Sequence, residues 1–462
     1  LQLNRSLDAT AGQIDTSKQT GGKPIVVFTP LAWERNDVVR FDLPLGDDQP
    51  CAVFDAAGKE VRSQVVVKGP LKRELLFIAQ KVPALGYSVY QLRRQQPSAF
   101  AEGLKAGQSW LENEALRVEI DPASGWVRSI VDKKTGREAL SGPGNELQLL
   151  EDRPAAWDAW NIGWTGTVFP SAFRGAEVIE RGPVRTVIRL KRDYLKPGVK
   201  KTFPTEDFPS SFFTQDIALY YGSDRVDFTT EIDWWEEKTM LKVAFPVSVK
   251  APTASYEIPY GFIRRSTGLT DSWEKAKVEV PAQNWADLSK DDFGVSLLNR
   301  SKYGYDVKGN TLRLSLLRSP IWPDPTADRG VSEAQYAFYP HSGDWSSART
   351  VRLGMEYNTP LIPVETGSHA GTLPESRSFV SLTPSHLVLA SVKKAEDSDA
   401  LVFQWYDAVG REATAELTLP FKPSRVTASN LLEEDLGEIP ASGTVVKVPT
   451  GRSKVVTIKV YR

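Results

Sequence analysis

The chain has 462 residues, 57 basic and 58 acidic side chains, a formal net charge of -1, thirteen tryptophans, three histidines and one cysteine. That length points to about two to four domains, and balanced, interspersed charge argues against nucleic acid or an anionic membrane surface as partner. No apolar run reaches membrane-spanning length, and the single Cys51 excludes an internal disulfide framework or a cysteine-rich metal site while leaving secreted, periplasmic and cytoplasmic locations open.

The opening segment LQLNRSLDATAGQID places Leu3, Leu7 and Ile14 on one helical face, and Gly21-Gly22 ends it, so residues 1–22 read as a helix remnant. With no signal-peptide n-region or h-region after Leu1, the chain reads as a mature or trimmed piece. Residues 23–97 switch to short strands at Ile25 to Phe28, Val38 to Leu43, Ala52 to Phe54, Val65 to Val67, Leu75 to Ala79 and Tyr87 to Leu92. Turn signals at Pro30, Asp47-Asp48, Ala57-Gly58 and Leu85-Gly86 separate them, the spacing of a small β-sandwich. A polar linker, Arg93 to Gln108, follows.

Residues 98–384 carry longer strands: Arg117 to Ile120, Val184 to Lys191, Gln215 to Tyr221, Val226 to Trp234, Leu241 to Val249, Lys277 to Val280, Val295 to Leu298 and Thr311 to Leu317. Helix-period patterning is scarce, and the region reads as one large antiparallel double sheet. Within it, Leu297 to Pro320 reads as a hairpin whose connection carries Lys302, Tyr303, Tyr305 and Asp306 before a Lys308-Gly309-Asn310 turn. Those side chains either meet a ligand from the connection or cap the sheet edge. Residues 385–462 form a third unit, a compact β domain of sandwich size, with strands at Leu387 to Leu389, Leu401 to Trp405, Ala415 to Leu419, Val445 to Val448 and Val455 to Val460.

No βαβ pattern, Gly-rich phosphate loop or GxSxG elbow occurs. In VDFTTEIDWWEE the strand period puts Asp227, Thr229, Glu231 and Asp233 on one side, which reads as a solvated sheet face before it reads as a glycosidase carboxylate pair. The segment AAWDAWNIGW sets Trp157, Asp158, Trp160, Asn161 and Trp164 close together, either as a sugar-contacting loop or as a loop packed down by its own indoles. Tyr256 to Gly261, Trp273 and Trp285 are further candidates for a groove edge. His341, His369 and His386 are far apart and in no ligand pattern, so no metal site is expected within this chain.

Several blocks in order resemble glycoside hydrolase family 38, the zinc-dependent α-mannosidases. They are FTPLAWERNDVV, LENEALRVEIDPASGWVRSIVDKKTGRE, DWWEEKTMLKVAFPV, ASYEIPYGFIRRST, WEKAKVEVPAQNWADLS, LLNRSKYGYDVKGNTLRLSLLRSPIWPDP, YAFYPHSGDW and VKKAEDSDALVF. The Tyr303-Gly304-Tyr305-Asp306 block resembles the branch that holds vacuolar, cytosolic and many bacterial members. The resemblance is to the C-terminal β region, and it implies an all-β chain: a small sandwich, a galactose-mutarotase-like supersandwich and a C-terminal sandwich. It further implies a zinc-bearing catalytic domain as partner, an α-mannoside oligosaccharide as substrate, and retaining hydrolysis through a glycosyl-enzyme. None of that domain's catalytic or zinc-binding residues maps onto this sequence.

On this reading the chain supports the catalytic domain and lines the carbohydrate cleft, with Tyr303, Tyr305, Asp306, Arg318, Trp157 and Trp160 as the substrate-contact candidates. Departures from the family pattern fall at Arg300, Trp235, Lys238, Ser332 and Gln404. The alternatives are a lectin-like carbohydrate-binding module and, further off, a mutarotase or polysaccharide lyase.

Overall fold

The computed structural model describes residues 2–19, 21–194 and 211–462, so Leu1 and Thr20 of the N-terminal segment lie outside the described residues. Two compact units emerge: residues 1–101, 259–262 and 359–462 form the first, and residues 102–258 and 263–358 the second. No helix among the described residues is long and apolar enough to cross a membrane.

In the first unit, Lys23–Thr29 and Gly86–Arg93 are the centre of one antiparallel sheet, facing a three-stranded sheet of Arg35–Asp42, Arg73–Val82 and Ser63–Val67. Ile25, Val27, Val39, Phe77 and Tyr90 fill the layer between them, as alternation on each strand requires. A second pair of sheets is built on Ala413–Thr418 with Val445–Thr450, and on Leu401–Asp407 with Val455–Tyr461. Its core holds Phe403, Trp405, Leu417 and Ile458. The buried Trp405 indole N–H donates to Thr450 Oγ1 at 3.0 Å, so its burial leaves no polar atom unmatched.

The second unit is the expected large double sheet. One layer runs in the order Ala172–Arg181, Arg185–Tyr194, Ser211–Tyr220, Val226–Trp234, Gly330–Ser342, Phe293–Arg300, Trp285–Ser289 and Thr253–Ile258. The facing layer runs Trp164–Phe169, Glu146–Asp152, Thr239–Pro246, Thr311–Arg318, Gly304–Lys308 and Val280–Pro281. Phe213, Phe228, Trp234, Leu241, Phe245, Leu297, Leu314 and Tyr336 are all fully buried in its core, each contributing roughly 1.5–3 kcal/mol by leaving water. On Val226–Trp234 burial alternates strictly, which makes Asp227, Thr229, Glu231 and Asp233 the solvent side. Asp227 is held by Arg225 at 2.7 Å and Asp233 accepts the Trp235 indole N–H at 2.7 Å, local pairings of a wet sheet face.

Four expectations change. The N-terminal helix spans Gln2–Ala11 and stops well before Gly21; Ile14 instead bridges to Leu373 and packs with Val26 and Tyr87. Lys277 to Val280 is not a strand: Asp271 caps a short helix, Ser272–Ala276, and only Val280–Pro281 pairs. Residues 359–384, read with the large double sheet, group with the first unit, where Ile362–Glu365 pairs with Lys23–Thr29 and Ser376–Ser378 with Gly86–Arg93. A helix the pattern did not reveal, Thr350–Asn358, lies on Phe293–Arg300, burying Leu353 and Tyr357.

The fourth change concerns Leu297 to Pro320. It is a crossover followed by a hairpin: Phe293–Arg300 pairs with Gly330–Ser342 in one layer, and Gly304–Lys308 pairs with Thr311–Arg318 in the other. Ser301 turns the corner at φ +59. Gly304 leaves room there for the Glu279 carboxylate, since a Cβ would come within 2.5 Å of Glu279 Oε1 and displace it. Arg300 is used internally, its guanidinium 2.7 Å from Gln335 Oε1, bonded to the Tyr357 carbonyl and 5.1 Å from the Tyr357 ring centre. The residue that departs from the family pattern therefore anchors the Thr350–Asn358 helix to the sheet.

Candidate functional site

The loop between Glu146–Asp152 and Trp164–Phe169 is closed at its base by one carboxylate. Asp152 is buried, with Oδ1 accepting the Gly163 N–H at 2.7 Å and Oδ2 accepting Arg318 Nε at 2.5 Å. Gly163 is needed because a Cβ would sit 2.3 Å from the Arg153 carbonyl carbon. Arg318, the last residue of Thr311–Arg318, also donates to the Ala159 and Asn161 carbonyls, and its own N–H meets Asp328 at 3.1 Å. The Ala159 N–H donates to the Trp322 carbonyl at 3.2 Å, joining this loop to the one that follows Arg318.

What the clamp presents is aromatic. Trp157, Trp160 and Trp322 are 59%, 66% and 45% exposed. Their ring centres lie 4.9 Å (Trp157 to Trp322), 5.4 Å (Trp160 to Trp322) and 6.3 Å (Trp157 to Trp160) apart in edge-on and tilted contacts. Trp157 sits at φ +62, a left-handed conformation that a bulky residue adopts only under constraint. Its carbonyl accepts the N–H groups of Trp160 and Asn161 at 2.9 Å, making a tight turn. Trp160 and Asn161 also line a cleft of about 620 Å³ with Arg153, Ile162 and Glu279.

Glu279 leads inward to a buried ionic group. Lys242 bridges Glu279 and Asp306, and Arg313 reaches Asp306 at 2.7 Å. Ser315 donates to Glu279 at 2.5 Å. Lys242 and Asp306 are nearly inaccessible to solvent.

Among the sequence candidates, Trp157, Trp160 and Arg318 thus come together, with Arg318 as the clamp. Tyr303 stays half exposed at the crossover and does not line the cleft. Tyr305 and Asp306 lie elsewhere than on an exposed connection: both are buried in the Gly304–Lys308 strand, and Asp306, held by Lys242 and Arg313, borders a small cavity with Glu279. The Tyr305 hydroxyl accepts from Asn299 at 2.8 Å and donates to the Leu297 carbonyl at 3.1 Å, and burial pushes its ionisation far upward. Tyr256 and Trp285 are core residues, whereas Tyr260 and Trp273 are exposed. Trp322, Arg153, Glu279 and Asp152 were missed; Trp322 was visible only as an isolated tryptophan before a proline.

Two of the three histidines are held by partners within their own unit. His341 faces Asp287 at 2.8 Å and the Gly343 carbonyl at 3.1 Å, while His369 faces the Gly367 and Gly12 carbonyls at 2.8 and 3.1 Å. Ser289 and Ser296 donate to Asp287 rather than to the imidazole, so this buried group is no nucleophile relay. Among the described residues no three His, Cys, Asp or Glu side chains converge as a metal-binding group.

Arg318→Ala is expected to free both loops, because it takes the guanidinium from buried Asp152 and from the Ala159 and Asn161 carbonyls at once, while the backbone N–H bond to Asp328 stays. We expect a stability loss of roughly 2 kcal/mol and faster amide exchange at Ala159 and Gly163, read by hydrogen–deuterium exchange. Unchanged exchange there would contradict the clamp.

Comparison with known proteins places this architecture. The described fold matches solved structures from Enterococcus faecalis: an α-mannosidase (TM-score 0.83, 18% identity) and a glycosyl hydrolase family 38 protein (TM-score 0.80, 17% identity). Each match covers 99% of this chain, and 58% and 60% of those chains. The fold is therefore one that these longer chains contain. Residues 111–326 match the glycosyl hydrolases family 38 C-terminal domain, and residues 386–460 match the glycosyl hydrolases family 38 C-terminal beta sandwich domain. The chain carries the C-terminal β region of glycosyl hydrolase family 38. It is similar to alpha-mannosidase 2C1 of Mus musculus (31% identity, 93% of this chain, 39% of the relative) and of Homo sapiens (35%, 76% and 34%). Alpha-mannosidase G of Dictyostelium discoideum is 34% identical over 71% of this chain and 30% of its own. The chain thus spans less than two fifths of the length of these three relatives.

Proposed function

We propose that this chain is the non-catalytic C-terminal portion of an α-mannosidase-like retaining glycoside hydrolase, supporting a catalytic domain and lining its carbohydrate cleft. The observation that carries the reading is the family 38 C-terminal match in both units, joined to relatives named as α-mannosidases that are more than twice as long. On this reading zinc, the nucleophile and the acid/base carboxylate belong to the catalytic domain, and the substrate is an α-mannoside oligosaccharide. Arg318 and the tryptophan loops are this chain's contribution to the cleft. Tyr305, Asp306 and Arg300 hold the double sheet together.

The test is hydrolysis of p-nitrophenyl α-mannoside. Protein that includes the catalytic domain is expected to turn it over and to lose activity with a chelator, while the 462-residue chain alone shows none. Turnover by the chain alone, indifferent to chelator, would overturn the reading.

A further inference from the structure

The geometry points to a carbohydrate-binding site built wholly from the second unit. It comprises the indoles of Trp157, Trp160 and Trp322 and the adjoining cleft, and it takes a neutral oligosaccharide of pyranose units. That the sugar is an α-mannoside rests on the function proposed above; the site itself does not.

Three observations carry it. First, three mutually touching indoles stay 45–66% exposed, although burying a large apolar side chain is favourable. They are held on loops fixed by the Asp152–Arg318 clamp and by a left-handed Trp157, a conformation that a bulky residue adopts only under constraint. Rigid aromatic faces held in water suit the apolar C–H faces of pyranose rings, which lose little entropy on stacking.

Second, Trp160 borders a cleft of about 620 Å³ whose other walls include Arg153, Asn161 and Glu279. That size falls within the usual range for small-molecule sites, about 300–1,000 Å³.

Third, the charges in the cleft are already matched within the chain. Arg153 lies 2.5 Å from Glu151, and Glu279 is paired with Lys242. No net charge is left to select an ionic ligand, yet these groups retain hydrogen-bonding capacity for hydroxyls.

The experiment titrates the 462-residue chain with mannobiose and, separately, with maltose, following tryptophan emission and heat. Saturable binding of at least one neutral disaccharide is expected. Trp160→Ala should weaken it about ten-fold or more, the scale of one lost aromatic contact. Trp322→Phe, which keeps a ring, should weaken it less. Leu432→Ala, at a 79% exposed side chain of the first unit, should leave it unchanged. Circular dichroism of each variant guards against misfolding.

Absence of saturation at tens of millimolar, or binding indifferent to Trp160→Ala and Trp322→Phe, would overturn the site and leave the tryptophans as a protein-docking face. Binding retained while the hydrolysis test fails supports the site and removes only the mannoside assignment.

Discussion

Lys242→Met is expected to destabilise the second unit by about 3–5 kcal/mol, the usual cost of breaking a buried ion group by removing one member. Lys242 is nearly inaccessible and neutralises two carboxylates at once. Without it Asp306 keeps Arg313, but Glu279 keeps only the Ser315 hydroxyl. Methionine fills similar space, so the loss isolates the charge and not a cavity. Urea unfolding followed by emission of the buried Trp234 and Trp285 reads the effect in this unit. Lys242→Met/Glu279→Gln should recover a large part of the loss, because the stranded charge is gone. A loss below about 1 kcal/mol for the single change would show that the network is hydrated and weak.

Glu257→Gln is expected to stabilise the protein at alkaline pH and to have little effect in acid. Glu257 is buried, and burial raises its carboxyl from the ordinary 4.5 to about 7; hydrogen bonds from Asn284, one of 2.6 Å to its N–H, oppose that rise without cancelling it. The folded state holds the proton to higher pH than the unfolded chain does. Its stabilising contribution is therefore complete below pH 4.5 and is lost as pH rises through about 7. At about 1.36 kcal/mol per pH unit, the gap from 4.5 to about 7 corresponds to about 3 kcal/mol at pH 8. Glutamine mimics the protonated side chain and still accepts the Asn284 N–H. Urea denaturation of both proteins should show a difference of about 3 kcal/mol at pH 8, and below about 1 kcal/mol at pH 5. Equal differences at the two values would mean that Glu257 is ionised in the fold throughout.

Both predictions concern groups whose importance could not be seen in the chain order. Lys242 reads as one more polar residue on an apolar strand, and Glu257 as one residue of the candidate groove edge at Tyr256 to Gly261. Each becomes consequential through neighbours far away: Asp306 is 64 residues from Lys242, and Asn284 is 27 from Glu257. The tryptophan loop was legible earlier. Trp157 and Trp160 stand close together beside Asn161, and such density in a short segment has few uses. Trp322 and the Asp152–Arg318 clamp could not be joined to it, because 166 residues separate the two clamp partners.

Strand positions such as Val226–Trp234, Thr311–Arg318 and Gly86–Arg93 followed from local alternation, since a period of two needs only neighbouring residues to declare itself. The ordered family blocks likewise needed no coordinates. Pairing was another matter. Alternation states which side of a strand is apolar but not which layer covers it, so Leu297 to Pro320 reads as one hairpin until the corner at Ser301 sends its halves to opposite sheets. The same long-range pairing buried Tyr305 and Asp306, left Trp160 in solvent, and joined residues 359–384 to the first unit. Burial is a property of the whole packed molecule, and it separated the side chains that hold this fold together from those left in solvent.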